Sequence, residues 1–207
     1  MSEIKTLSSK HSQAVKVIAV SKKQTVDKIK LIAQEGHEHF GENQIQEVES
    51  KWITLKKEFP EIKLHYIGTI QSRKTKIIFD LCDEIHSIDR IKIVKKIKEI
   101  EKQSGLVKKY YIQVNTGDEI QKSGVSMSEI DEFINKSRSE YNFSIHGLMC
   151  LPPQNDDPTK HFLELKSVAL RNDINKLSMG MSGDYKEAIS CGSTHLRLGT
   201  IIFGERN

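Results

Sequence analysis

The chain has 207 residues, 29% charged and 37% apolar, with a formal net charge of +4. That length suits one domain, and such a chain buries roughly 70% of its unfolded surface, so it needs no staple to fold. The apolar content excludes a disordered chain, and the small charge excess, with no basic stripe, gives no reason to expect nucleic acid as a partner.

Three scattered cysteines, Cys82, Cys150 and Cys191, form no C-x-x-C pair and suit a reducing compartment. Residues 1–13 are polar and lack the apolar segment of a secretory signal. No run approaches the roughly 18 apolar residues of a membrane span. The expectation is a soluble cytoplasmic protein, a single domain over residues 1–207.

In chain order, short apolar, β-branched runs fall at 14–20, 39–42, 63–68, 84–88, 108–115, 144–150, 176–179 and 195–200. Charged, helix-like stretches separate them. Residues 90–102 carry Ile93, Val94, Ile97 and Ile100 on one helical face, with Asp89 placed to cap the first turn. Strands alternating with helices imply βαβ units and a parallel sheet. Eight such units at about 26 residues each predict a single (β/α)8 TIM barrel, near that fold's lower size limit. The rival is a six-stranded open, doubly wound sheet. The turn after Val20 reads Ser21-Lys22-Lys23, without the glycine fingerprint of a dinucleotide site.

In a barrel, polar residues at the C-terminal strand ends form the site. Lys22 closes the first strand; it is either a solvated rim lysine or an amine able to attack an aldehyde. Asn43 follows the second strand, in Phe40-Gly41-Glu42-Asn43. It either caps the next helix or lies over a planar ligand. His37 and His39 stand at strand spacing, but two ligands without a third do not make a metal site, and no metal is expected.

The strongest local signal comes late in the chain. Ser182, in Met179-Gly180-Met181-Ser182-Gly183, and Gly199-Thr200 occupy the loops after the seventh and eighth strands. Barrels of this class commonly hold a phosphate there, with bare N–H groups and hydroxyls closing on its oxygens. Strand alternation turns Leu196 and Leu198 outward and Arg197 inward. Its role is either an ion pair with Glu42 or Glu205, or donation to a ring nitrogen of a ligand. Together these residues describe a pyridoxal 5'-phosphate (PLP) site. Lys22 would form the Schiff base, Ser182, Gly199 and Thr200 would grip the phosphate, and Arg197 would face the pyridine nitrogen. Arg keeps its proton, so that nitrogen stays unprotonated and is a poor electron sink.

The order of these motifs resembles the pyridoxal phosphate homeostasis protein family. The matching stretches are Ala19-Val20-Ser21-Lys22, Phe40-Gly41-Glu42-Asn43, His65-Tyr66-Ile67-Gly68, His86-Ser87-Ile88-Asp89-Arg90, Gly147-Leu148-Met149, Leu177-Ser178-Met179-Gly180-Met181-Ser182 and Arg197-Leu198-Gly199-Thr200. The resemblance spans nearly the whole chain. It implies a barrel similar to the N-terminal domain of alanine racemase, with PLP on Lys22, Asn43 against the ring, and a role in vitamin B6 homeostasis without an established reaction. Arg73 departs from the family, where many members carry Asn. The alternative is an amino-acid racemase or related PLP enzyme, which needs a second base. None of the five tyrosines sits in a motif suggesting one, and the sequence stops at Asn207, so no β-domain is expected to supply one. The expectation is therefore a monomeric PLP carrier, with acceptor enzymes as partners and no catalytic residue beyond the lysine.

Overall fold

Strand β1 (Lys16–Val20) opens an alternation of strands and helices, broken only where the short strand Val125–Ser126 follows the strand Lys109–Asn115 directly. The structure, a computed structural model, describes residues 14–119 and 121–205; the polar stretch 1–13, Arg206 and Asn207 lie outside the described residues. Helix α1 (Val26–Gln34) starts at Thr25, whose hydroxyl accepts from the Lys28 amide, and it buries Ile29 and Ala33. After β2 (His39–Glu42) come α2 (Ile45–Glu47), a π-helical turn (Val48–Trp52) and α3 (Ile53–Glu58). Next are β3 (Lys63–Tyr66), α4 (Thr75–Leu81), β4 (Glu84–Ile88), α5 (Ile91–Ser104) and β5 (Lys109–Asn115). The two-residue β6 (Val125–Ser126) precedes α6 (Ile130–Tyr141), β7 (Gly147–Cys150) and α7 (Pro158–Arg171). The chain then runs through β8 (Leu177–Ser178), α8 (Tyr185–Ser190), β9 (His195–Leu198) and α9 (Thr200–Phe203).

All strand pairings are parallel. Going round, β1, β2, β3, β4, β5, β7, β8 and β9 form a closed ring, with β9 pairing back onto β1. This is the eight-fold barrel, and closure rules out the open doubly wound sheet. The short β6 adds a rung at the end of β5, Val114 opposite Val125.

The main core lies between barrel and helices. The α5 stripe of Ile93, Val94, Ile97 and Ile100 is buried there, each side chain stabilising the fold by about 1.5–3 kcal/mol at most. Asp89 does not cap that helix. The chain stays extended through Arg90, which takes the cap position, and the Asp89 carboxylate accepts from Arg90 Nη1 at 2.5 Å. Cys82, Cys150 and Cys191 are buried free thiols used as packing.

The barrel interior is different. Leu196 and Leu198 join the outer core, whereas His195 and Arg197 of the same strand take polar partners inside the ring. Tyr111, His65, His86 and Ser178 likewise bond across the interior rather than to the helices. Branched apolar layers usually fill such barrels. Here much of that filling is hydrogen-bonded. No described helix is long and apolar enough to cross a membrane.

Candidate functional site

Because every strand points the same way, the residues after β1, β2, β8 and β9 emerge at one end of the barrel. Those four strands are also contiguous, in the order β2-β1-β9-β8. Lys22, Asn43, Ser182 and Gly199-Thr200 therefore sit on one sector of one rim, with Arg197 just below it. Residues from opposite ends of the chain are joined there by the β1–β9 pairing, Ala19 opposite Leu198.

Lys22 is half-buried in the turn that ends β1. That turn is held by its neighbours. The Ser21 amide donates to Gly41 O at 3.0 Å and the Ser21 hydroxyl to Glu42 Oε1 at 2.7 Å, while the Lys23 amide donates to Glu47 Oε2 at 2.7 Å. Glu42 is fully buried, and burial pushes its carboxyl upward despite Ser21, Lys51 and Trp52. Glu42 thus braces the lysine turn instead of pairing with Arg197.

Asn43 does not cap α2, whose cap position is Gln44. Its side-chain Oδ1 is buried and takes no hydrogen bond from any group among the described residues. An unmade hydrogen bond of this kind costs about 1–3 kcal/mol. The Asn43 backbone is set by Gly68, where an added Cβ would stand 1.9 Å from Asn43 O and 2.6 Å from its carbonyl carbon. Gly68→Ala is expected to displace the Asn43 loop and lower stability by about 1–3 kcal/mol, seen as a lower thermal midpoint. An unchanged midpoint would show that the loop moves freely.

Arg197 lies inside the barrel, 3% exposed. Its Nη1 donates to Ser178 O at 2.6 Å and Ser178 Oγ at 2.8 Å, and its Nη2 to Cys150 O at 2.7 Å. The ion pair with Glu42 or Glu205, one of the two alternatives for this arginine, is not formed; two backbone carbonyls and a hydroxyl, from β7 and β8, take its place. Burial lowers the guanidinium from its usual value, with Asp184 acting in the opposite direction. These three contacts fix the plane of the fork. Ser178 was legible only as part of a motif; its role as the orienting group depends on β8 lying beside β9.

Ser182 is half-buried before α8, and Thr200 is the exposed first residue of α9. Gly199 needs no glycine for the fold itself. Its φ is −107° and an added Cβ would make only ordinary contacts, 3.7 Å from Val20 O and 4.0 Å from Val20 Cβ. The bare backbone there leaves the rim open beside β1. Arg73 lies outside this sector, its Nε donating to Gln71 Oε1 at 3.3 Å.

These features fit PLP. A buried amide oxygen has no donor among the described residues, a bare glycine backbone leaves the rim open, and an oriented guanidinium lies beneath.

Comparison with known proteins gives the same assignment. Residues 2–207 match the family described as alanine racemase, N-terminal domain. A protein of Vibrio alginolyticus named pyridoxal phosphate homeostasis protein is 36% identical over 205 residues, covering 94% of this chain and 88% of its own length. PipY of Synechococcus elongatus PCC7942, solved with PLP bound, superposes with a TM-score of 0.83 at 27% identity, covering 97% of this chain and 99% of that one. An alanine racemase of Clostridium difficile 630 shares the fold at a TM-score of 0.74 and 14% identity, covering 100% of this chain but 57% of the racemase. The chain belongs to the family of the alanine racemase N-terminal domain, among the pyridoxal phosphate homeostasis proteins within it.

Proposed function

We propose that this protein binds PLP at the β2-β1-β9-β8 rim and serves its intracellular homeostasis, carrying and releasing the cofactor without turning over a substrate. The observation that carries the reading is the arrival of Lys22, Asn43, Ser182, Arg197, Gly199 and Thr200 on four contiguous strands, although they are spread from residue 22 to residue 200. Bound PLP supplies an aldehyde conjugated to a pyridine ring. Lys22 offers the amine for the Schiff base, Asn43 covers the ring, and Ser182, Gly199 and Thr200 hold the phosphate. Arg197, aligned by Ser178 and Cys150, keeps its own proton and leaves the pyridine nitrogen without one.

Against the racemase reading, three of the five tyrosines are already engaged. Tyr66 donates to Thr69 O, Tyr110 to Glu101, and Tyr111 to Glu84, and burial pushes all three phenols upward, Tyr66 to about 12. The protein incubated with L- or D-alanine is expected to show no interconversion by chiral chromatography. Racemisation that disappears in Lys22→Ala would replace the carrier reading with an enzymatic one. Buried free thiols support a reducing cytoplasm, and a monomer is the proposed working form.

The test is the visible spectrum of the purified protein before and after borohydride reduction, with the modified peptide mapped. A trapped cofactor on Lys22 supports the assignment. A protein that stays colourless with added PLP refutes it. Thr200→Val is expected to weaken PLP retention about 10- to 100-fold, the loss of one donor to a charged oxygen, with no change in melting. Unaltered affinity would remove Thr200 from the site.

A further inference from the structure

Below the proposed cofactor site the barrel holds a second constellation, joined to it through Ser178, whose hydroxyl meets both Arg197 and His86. His65 of β3 and Glu84 and His86 of β4 are buried there, at 0%, 3% and 0% exposure. His65 Nδ1 and His86 Nε2 are 3.0 Å apart, and Glu84 Oε2 stands 3.6 Å from the first and 3.7 Å from the second. A point equidistant from these three atoms lies about 2 Å from each, which is the bond length of Zn2+ to imidazole nitrogen and carboxylate oxygen. Among the described residues, this is where three potential ligand atoms converge.

We propose that His65, Glu84 and His86 form a binding site for a divalent transition-metal ion, of which Zn2+ is the type. Two histidines and one carboxylate match the donor set of three-ligand zinc sites, and they leave a fourth position open.

The surroundings suit that role. The far nitrogen of each ring already has a partner. His65 Nε2 lies 3.0 Å from His39 Nδ1, and His86 Nδ1 lies 2.9 Å from Ser178 Oγ. When those outer nitrogens carry the protons, both inner nitrogens present bare lone pairs, as an ion requires, and such outer partners fix ring orientation in metal sites. No proton has to leave the pair; it only changes nitrogen.

Lys16 and Lys109 take the other carboxylate oxygen, Oε1, at 3.4 and 3.3 Å. That leaves Oε2 to the ion, with the Tyr111 hydroxyl 3.2 Å away. The Lys109 side chain is 53% exposed and the Lys16 side chain 27%. Both ammonium groups can therefore turn to solvent. The sequence alone pointed to His37 and His39 and away from any metal. His37 instead bonds His39 O at 2.8 Å, and His39 serves only as the outer partner of His65.

The experiment loads chelator-stripped full-length protein with Zn2+ or Co2+ alone, desalts it and counts the bound ion by mass spectrometry. One retained equivalent is expected, with Co2+ giving the visible bands of a four-coordinate ion and shifting the ring protons of two buried histidines in the NMR spectrum. Glu84→Gln should weaken binding about 100-fold or more, beyond the usual effect of losing an outer partner. Lys22→Ala should leave it unchanged, which separates this site from chelation at the cofactor. If Glu84→Gln does not fold, the histidine shifts in the unmodified protein decide the matter. Failure to retain an ion, or shifts confined to exposed histidines, would make the cluster a hydrogen-bonded polar core only and overturn the proposal. Because none of His65, Glu84 and His86 is among the residues proposed to hold PLP, that result would leave the PLP reading standing.

Discussion

Lys22→Ala is expected to lose all borohydride-trapped cofactor while remaining folded, since Lys22 is a half-buried rim residue outside the core. The two halves of that result have separate causes. The backbone around Lys22 is held by Ser21, which bonds to Gly41 and Glu42, and by the Lys23 amide, which bonds to Glu47. None of these bonds uses the lysine side chain, and Lys22 is not among the core residues. The amine, by contrast, is the proposed attachment point for the aldehyde, and alanine offers nothing in its place. Residual PLP held by the phosphate grip alone should wash out on desalting. A covalent adduct that persists and maps to Lys23 or Lys51 would mean the wrong lysine had been chosen.

The barrel was legible in the sequence because its strands carry dense β-branched runs and its helices carry clean stripes, as in α5. Strand ends were overextended at 14–20 and 144–150, where β1 and β7 begin later, at Lys16 and Gly147. Apolar composition continues past the last ladder bond, so it does not mark where pairing stops. The β6 rung was invisible for the opposite reason: two residues carry no period. The Asp89 cap failed because Asp residues in loops also pair with adjacent cations, and composition cannot show that Arg90 remains extended.

At the mouth, the residue types were readable and their partners were not. Alternation along β9 shows that Arg197 points inward, but Ser178 and the Cys150 carbonyl reach it only because β8 and β7 lie next in the ring. The basal cluster is a purer case. His65 and Glu84 are nineteen positions apart and meet through one pairing of β3 with β4, His65 opposite Glu84. No local spacing reports that.

Arg197→Met should be the most damaging single change at the mouth. Ser178 O and Cys150 O lose this donor in a region without solvent, while Ser178 Oγ keeps His86 Nδ1. Each unmade bond costs about 1–3 kcal/mol. The loss is partly offset because a buried charge, itself expensive to desolvate, is removed. The net expectation is about 3 kcal/mol, or a melting point lowered by roughly 6–12 °C for a chain of this size. Methionine keeps the apolar stem and much of the volume, so a cavity contributes little to that figure. The cofactor provides the second readout. With Arg197 present, its donor is permanently protonated and the pyridine nitrogen has no use for a proton, so the bound chromophore should be insensitive to pH around neutrality. In Arg197→Met that nitrogen is free to titrate and the spectrum should become pH-dependent. A variant that melts like its parent would show that the carbonyls find other donors. A variant that melts early yet keeps a pH-independent spectrum would confine Arg197 to a structural role and take it out of contact with the cofactor.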